Sequence, residues 1–272
     1  MARLAEYTSS RELLWNLTLR ELRGRYKRSV LGWTWSLLNP LSSVLIFSVV
    51  FGFFLQVQPP VGHPSGLHNF AVFLLCGLLS WNYLSGTMNA SMDTLLGNAN
   101  LIRKVYFPRE ILVASTVCSL LVTFFIELGV LIVILLLLGN MVLPWIPALL
   151  MLVAIQTVFV LGLGLLLSVL NVYFRDVKHF IGIALQALFY SAPIVYPLSV
   201  VEKAGTRTSF PLVRVYELNP LVRMVEAYRD VLYDLRFPPL HDLLYLLAWS
   251  FGLLIAGLWV FGRLDRRLAE EV

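Results

Sequence analysis

The chain has 272 residues, of which 58% are hydrophobic and 14% are charged, and its mean hydropathy is +0.79. Soluble domains have roughly 45–50% apolar and about 25% charged residues, so this composition predicts a membrane protein with several spans. The net charge of +5 could suggest a nucleic-acid partner, but the basic residues flank apolar stretches. That placement favours contact with anionic membrane lipids and retention on the cytoplasmic side, with no nucleic acid as a partner.

Residues 1–33 are predicted to form an N-terminal interfacial amphipathic helix. Trp15, Leu19, Leu22 and Tyr26 recur at the spacing of one helical stripe, while Arg20 faces elsewhere. A helix that touches lipid on one side and protein on the other has such a pattern. A simple membrane anchor is the alternative.

Six membrane spans are predicted, each near the ~20 residues that a bilayer core requires. They are about Thr34–Leu55, Phe70–Ala90, Ile111–Leu138, Trp145–Leu170, Phe180–Leu198 and Leu240–Phe261. Lys and Arg concentrate before the first span, in the second-to-third and fourth-to-fifth loops, and after the sixth span. The positive-inside rule therefore places both termini in the cytoplasm, with a membrane domain over residues 34–262 and a cytoplasmic tail over 263–272.

The second cytoplasmic segment, residues 91–110, is too polar for a membrane span and too apolar for a free loop. Its apolar side chains need a surface to bury against, and they are Leu95, Leu96, Leu101, Ile102, Val105 and Phe107. Pro108 fits the start of the helix that carries the third span. A short cytoplasmic helix that docks into a partner explains the pattern, and packing on the underside of the chain itself is the alternative.

The outer segment 199–239 is too charged to span a bilayer and too periodic for an irregular loop. Asn219 and Pro220 are typical of a helix start. Apolar residues then repeat at helical spacing, at Leu221, Met224, Tyr228, Val231 and Leu235. The other faces carry the charged residues Arg223, Glu226, Arg229, Asp230 and Asp234. We predict a pair of short helices that lie on the outer leaflet or re-enter it.

The sequence contains no motif of a catalytic or nucleotide-binding site, since GxxxxGK[ST], HExxH and GxSxG are all absent. Gly162 and Gly164 lie inside a predicted span, where close helix packing is the expected role. Cys76 and Cys118 also lie in apolar spans, so we expect packing rather than a disulfide or a metal site. No cofactor is predicted for this chain.

Glu127 is the one carboxylate deep in a predicted span, and such residues are functional candidates by default. A proton relay through it would make the chain a proton-coupled lipid or glycan flippase. No second acid or basic partner occurs at mid-membrane elsewhere, so a structural role is favoured, hydrogen-bonded inside the bundle or to another subunit. Amides that could serve as partners are Asn82, Asn89, Gln156 and Gln186.

Aromatic residues are frequent near the ends and middles of the second and fifth predicted spans. They include Trp81, Tyr83, Phe189, Tyr190 and Tyr196. Because aromatic faces stack well on sugar rings, these residues are candidates for the lining of a glycan conduit. An ordinary interfacial belt is the alternative.

Four stretches together resemble the membrane subunits of ABC transporters that export polysaccharides, such as the O-antigen and teichoic-acid permeases. They are RYKRSVLGWTWSLLNPL, NANLIRKVYFPREIL, NVYFRDVKHF and LNPLVRMVEAYRDVLY, in the expected order along the chain. The resemblance implies a homodimer of six-span subunits, paired with two copies of a separate ATPase subunit that binds ATP and Mg. It also implies export of a lipid-linked glycan across the cytoplasmic (inner) membrane.

The same resemblance implies where the ATPase subunit binds. In that family the helix before the first span and the helix between the second and third spans contact the ATPase, and here these are residues 11–28 and about 93–106. The implied contacts are Leu95, Leu96, Leu101, Ile102, Arg103, Lys104, Tyr106, Phe107, Arg20 and Arg23. The expected fold is an all-α membrane protein with six transmembrane helices, the interfacial helix, a cytoplasmic coupling helix and outer re-entrant gating helices.

A membrane enzyme, such as an acyl- or glycosyltransferase, is a third class of function. It would need a cluster of His, Asp or Glu at a membrane face, and the inner loops offer only Asp176 and His179. The chain itself is therefore predicted not to be an enzyme, and its energy is expected to come from the partner ATPase.

Overall fold

The computed structural model describes residues 2–26, 32–56, 60–105, 107–206 and 212–271. All regular elements in these residues are helical, which confirms the predicted all-α membrane fold. The helices are α1 (Ala2–Tyr26), α2 (Trp35–Phe47), α3 (Phe70–Gly97), α4 (Ala99–Lys104), α5 (Glu110–Leu137), α6 (Ile146–Tyr173), α7 (Val177–Ser191), α8 (Leu198–Gly205), α9 (Leu212–Glu217), α10 (Pro220–Arg229) and α11 (Leu240–Glu271). Short 3-10 turns cover Gly32–Thr34 and Leu143–Trp145, and π-helical turns follow α2 over Ser48–Phe54 and α10 over Asp230–Asp234.

Among the described residues, five helices are long and apolar enough to cross a membrane. They are Trp35–Phe54, Phe70–Gly97, Glu110–Leu137, Leu143–Tyr173 and Leu240–Leu264. A bilayer span requires about 20 predominantly apolar residues, and each of these helices contains such a run. Five of the six predicted spans are therefore present as helices of sufficient length.

The predicted fifth span, Phe180–Leu198, is not one continuous helix, so the six-helix count is not confirmed. α7 covers only Val177–Ser191, about 22 Å at 1.5 Å per residue, which is shorter than the ~30 Å of a bilayer core. The helix ends because Pro193 follows Ala192 and disfavours the helical conformation there. Ala192 is accordingly extended, with φ −95° and ψ 150°.

α6 and α11 run parallel and in direct contact. The Ser250 hydroxyl donates to the Ile155 carbonyl at 3.1 Å, and the Tyr173 hydroxyl donates to the Leu264 carbonyl at 3.1 Å, further along both helices. Between two parallel helices the chain must cross the bundle once more. α7 and the segment that follows it make this crossing together.

The bundle has two distinct ends. We call the end with α1, α4 and the turn between α6 and α7 the basic end, and the opposite end the far end. At the far end, the Asn140 side chain donates to the Leu232 carbonyl at 3.0 Å, and the Tyr233 hydroxyl donates to the Pro60 carbonyl at 2.7 Å. These bonds tie the α5–α6 turn and the loop before α3 to the π-helical turn after α10.

α3 lies at the centre of the bundle, and most of its side chains are buried. Leu75 and Leu79 belong to the main hydrophobic cluster, which includes Phe124 of α5, Leu152 of α6 and Tyr228 of α10. A helix that is apolar around most of its circumference is stable only when other helices surround it, and α3 meets this condition. Within the outer segment, α10 is thus part of the core and does not lie loosely on the surface.

α1 packs on the basic end with a face that is rotated from the predicted stripe. Leu17 and Thr18 are 5% exposed, and Leu17 joins a second cluster with Leu112 of α5 and Val169 of α6. Leu22 is buried at the edge of this face, whereas Trp15 is 64% exposed, so the residues of the predicted stripe differ in burial. The leucines of the other face match the surface of α5, and the indole of Trp15 points away from the bundle. The side chain of Tyr26 lies outside the described residues.

Candidate functional site

α3 carries a polar stripe, which we define as Asn82, Ser85, Asn89 and Asp93. These residues are separated by three or four positions and share one face of a helix that is otherwise mostly buried. Asn82, Asn89 and Asp93 are exposed and Ser85 is half-buried in the single chain. Polar groups on a membrane helix are costly against hydrocarbon, so this stripe requires water, substrate or another protein surface beside it.

α7 lies alongside the polar stripe. Lys178 at the start of α7 binds Asp93, with its Nζ 2.7 Å and 2.9 Å from the two carboxylate oxygens. Nearer the middle of α3, the rings of Trp81 and Phe189 have centroids 5.6 Å apart. The ion pair is about half exposed, so it orients α7 more than it stabilises the fold.

Four of the five predicted conduit aromatics lie together where α3 meets α7 and the break that follows it. We call them the aromatic row: Trp81, Phe189, Tyr190 and Tyr196. Trp81 contacts Phe189, and the Phe189 and Tyr190 ring centroids are 5.2 Å apart. The Tyr196 hydroxyl donates to the Tyr190 carbonyl at 2.8 Å and is 3.1 Å from the Tyr216 hydroxyl. Tyr216 was not singled out from the sequence, because only the fold brings α9 to this row.

Tyr83 does not belong to the aromatic row. Its ring stacks on Phe124 at 4.6 Å between centroids, and its hydroxyl is 3.2 Å from that of Thr157. The side chain is 3% exposed, so the structure places it in the core between α3, α5 and α6.

At the basic end, the predicted docking residues divide into buried and exposed ones. Leu95 and Ile102 are 0% and 5% exposed and pack in the cluster under α1, so they bury against this chain itself. Leu96, Leu101 and Phe107 are half-buried in the same cluster. Arg103, Lys104 and Val105 are exposed, and Tyr106 lies outside the described residues.

α1 and α4 are linked through the helix junction at Asn98. The Arg20 guanidinium donates to the Asn98 side-chain oxygen at 2.5 Å, and Asn98 donates to the Thr94 carbonyl at 2.8 Å. Beside this link is a cavity of about 600 Å³ lined by Asn16, Leu19, Arg20, Arg23 and Gly24. The exposed arginines of α1 and the exposed end of α4 therefore form one basic surface.

The outer segment has three short helices, α8, α9 and α10, where a pair was predicted. α10 begins at the predicted position and buries most of the predicted apolar face. The Asn219 side chain accepts a hydrogen bond from the Leu221 amide at 3.0 Å, which caps α10. Leu221, Met224, Tyr228 and Val231 are all buried.

Arg229 and Asp230, which the sequence places beside the apolar face, are buried as well. Arg229 is 2% exposed, and its guanidinium lies 3.7 Å from the centroid of the Phe73 ring of α3. It donates to Glu226 at 2.7 Å and to the Ile194 carbonyl at 2.8 Å. Gly77 leaves the room for it, since a Cβ at that position would lie 3.2 Å from the guanidinium.

Burial shifts the pKa values of this cluster. It lowers the pKa of Arg229, and the carboxylate of Glu226 opposes that shift. Burial also raises the pKa of Asp230 to about 6, although the Arg236 guanidinium, which donates to it at 2.7 Å, acts in the opposite direction. The cluster fixes α10 to α3 and to the chain that leaves α7.

Glu127 is half-buried on α5, and no described residue forms an ion pair or hydrogen bond with its carboxylate. The amides proposed as partners are used elsewhere or exposed. Gln156 donates to the Ser80 carbonyl at 2.8 Å, Asn89 donates to Ser85, and Asn82 and Gln186 are exposed. A partner on another subunit stays a prediction.

Asp176 and His179 are both exposed at the basic end, and no group of three or more metal-ligating side chains occurs in the described ranges. Cys76 and Cys118 are free thiols, the first buried and the second half-buried.

Comparison with known proteins shows which family and which characterised proteins the chain is similar to. Residues 12–233 match the sequence model of the ABC-2 type transporter family. O-antigen export system permease protein RfbA of Myxococcus xanthus is 30% identical over 262 residues, which is 96% of each chain. The protein of the same name from Klebsiella pneumoniae is also 30% identical and covers 95% of this chain and 94% of its own length. Polysialic acid transport protein KpsM of Escherichia coli is 25% identical over 226 residues, or 79% of this chain.

Proposed function

Because the chain belongs to the ABC-2 type transporter family, we propose that it is the permease subunit of an ATP-driven exporter of a lipid-linked polysaccharide. One observation carries the proposal, which is the 30% identity to an O-antigen export permease over 96% of both chains. The substrate class is a cell-surface polysaccharide such as O-antigen or a related glycan. The polar stripe and the aromatic row supply the two kinds of surface that a sugar chain would need.

The energy for export comes from a separate ATPase subunit that holds ATP and Mg. The sequence has no phosphate-binding GxxxxGK[ST] motif, so it cannot cradle a nucleotide in that way. The chain lies in the inner membrane of the cell. Its basic end faces the cytoplasm, since Lys and Arg concentrate at that end. Both termini are then cytoplasmic, and the far end with α8–α10 is on the outer side.

A homodimer accounts for two unpartnered surfaces. α2 and the π-helical turn after it expose apolar residues, including Leu41, Leu45 and Phe53, and the polar stripe of α3 is open. A second copy would screen the polar stripe from lipid and enclose a wet path between the subunits. The path would pass from the Lys178–Asp93 pair at the basic end to the aromatic row at the far end.

The lining of this path can be tested by thiol accessibility. In a chain whose native cysteines are replaced by alanine, Asn89→Cys is expected to react at least about tenfold faster with a charged, membrane-impermeant reagent than Val133→Cys. Both positions are exposed in the single chain, Val133 on the apolar surface of α5. A thiolate forms only where water reaches it, so equally slow labelling of both positions would contradict the conduit assignment.

The ATPase is proposed to dock on the basic surface of α1 and α4, where Arg20, Arg23, Arg103 and Lys104 lie. Val105 at the end of α4 is 52% exposed, which suits an apolar contact with a partner. Val105→Asp should therefore reduce co-purification of the ATPase subunit by about tenfold or more, because a carboxylate would be buried at the contact. The matched control is Val200→Asp on α8, which is 51% exposed at the far end. Equal pairing of the two variants with the ATPase would remove the docking assignment.

A further inference from the structure

An apolar groove lies on the side of the basic end, apart from the polar stripe and from α4. Its volume is about 440 Å³, within the roughly 300–1,000 Å³ of small-molecule sites. α1, α5, α6 and α11 all contribute to its walls, with apolar side chains such as Leu14, Ala114, Leu165 and Leu258.

The groove extends along α5 and α6 from Glu110 to Leu161 and Leu254. Gly164 of α6 faces Val113 of α5, which is three positions from Glu110, and Leu161 is three positions further along α6. At 1.5 Å per residue the groove is therefore about 9 Å long, enough for the part of an acyl chain next to its headgroup. Next to Leu161 and Leu254, the backbones of α6 and α11 come into contact at Gly162, which closes the groove toward the membrane centre.

The mouth of the groove carries one positive and one negative side chain. Arg11 of α1 and Glu110 in the first turn of α5 both line it. Neither side chain is in an ion pair or hydrogen bond with a described residue. Two opposite charges without a described partner, beside a short apolar groove, match a ligand with a zwitterionic head and an apolar tail.

We propose that this groove binds the headgroup-proximal part of one acyl chain of an inner-leaflet phospholipid whose headgroup has a phosphate and a primary ammonium, the phosphatidylethanolamine class. Arg11 donates hydrogen bonds to the phosphate, and Glu110 accepts hydrogen bonds from the ammonium. A headgroup with only negative charge would meet Glu110 as a like charge. A quaternary ammonium has no hydrogen to donate to it.

The headgroup rather than the chain determines the selectivity. An acyl chain gains little by leaving surrounding lipid for the groove, because lipid tails are as apolar as the leucines that line it. The acyl chain fills the groove, and the two charges at the mouth determine which headgroup binds. The bound lipid then fills the angle between α1 and the bundle and fixes the interfacial helix on α5, α6 and α11.

The test is native mass spectrometry of the purified full chain after equilibration with equal amounts of phosphatidylethanolamine and phosphatidylglycerol. The wild type should retain the ethanolamine lipid preferentially. Ala114→Trp, which fills the groove, should lose most of this retention, while the control Val133→Trp on the exposed face of the same helix should keep it. Glu110→Gln should shift the ratio of the two retained lipids by about tenfold toward phosphatidylglycerol.

Arg11→Gln should lower the retention of both lipids. Equal retention by Ala114→Trp and Val133→Trp would overturn the proposal, as would an unchanged lipid ratio in Glu110→Gln. Retention of an isoprenoid-linked glycan in place of phospholipid would overturn it too. If Ala114→Trp does not fold, Arg11→Gln and Glu110→Gln are sufficient to test the proposal. The readout needs no transport, so it is independent of the proposed export function.

Discussion

Replacing Gly162 with valine is expected to abolish stable accumulation of the folded protein. A Cβ at this position would overlap the backbone atoms of Leu253 and Leu254, and one at Gly257 would overlap the Gly162 carbonyl. Backbone atoms cannot turn aside as a flexible side chain can, so α6 and α11 would have to separate along their contact. The loss should reach or exceed the roughly 1–3 kcal/mol typical of overpacked cores.

The matched control for this prediction is Gly252→Val. Gly252 is also on α11, but a Cβ there would meet no atom within 4 Å. Detergent-solubilised protein of each variant would be compared by size-exclusion profile and by thermal unfolding. A Gly162→Val protein that elutes and melts like Gly252→Val would show that the close helix contact does not exist.

Arg229→Gln is expected to lower stability by about 3–5 kcal/mol, the usual loss when one member of a buried ion pair is removed. Glu226 would lose its ion-pair partner, and the Ile194 carbonyl would lose its donor. Contact of the guanidinium with the Phe73 ring would be lost as well. α10 would then be held to α3 by apolar contacts alone.

Thermal unfolding of Arg229→Gln measures this effect, with Lys203→Gln as the control. Lys203 is an exposed basic residue on α8 in the same outer segment, and its replacement should change stability by less than about 0.5 kcal/mol. The same small change for both variants would mean that Arg229 is solvated, as its position in the sequence had suggested.

The long helices were predictable because a bilayer span needs an apolar run that few other structures need. The end of α7 at Ser191 is also visible in the sequence, since Pro193 disfavours a helical Ala192. The fifth span was predicted to continue to Leu198 because the residues on both sides of Pro193 are apolar. Helical spacing alone also separates Trp81 from Tyr83, because residues two apart point to nearly opposite sides of a helix. Both are buried, but Trp81 meets Phe189 of α7 whereas Tyr83 meets Phe124 of α5.

The burial of Arg229 could not be predicted from its own helix. Charged residues beside an apolar stripe normally face solvent, and only the neighbours Phe73, Gly77 and Ile194, far away in sequence, make a place for this one. The same limit applies to Trp15, whose exposure depends on which face of α1 fits α5. Tertiary packing determines the burial of Arg229 and the exposure of Trp15. The periodicity of one segment carries no information about its packing partners.

The polar stripe and the docking surface are connected through α3. The helix carries the stripe along its length and ends next to α4, whose junction at Asn98 is bound to Arg20 of α1. A partner that moves α1 and α4 would therefore act directly on the wall of the proposed conduit. If the ATPase docks as proposed, this link would couple ATP hydrolysis on that subunit to polysaccharide movement through this one.

The most direct test reconstitutes the chain in vesicles with and without its ATPase subunit and measures the movement of a labelled lipid-linked polysaccharide. The account predicts movement that requires both ATP and the ATPase, that persists in Glu127→Gln, and that an imposed pH difference cannot replace. Transport by the chain alone under a pH difference, abolished by Glu127→Gln, would contradict it.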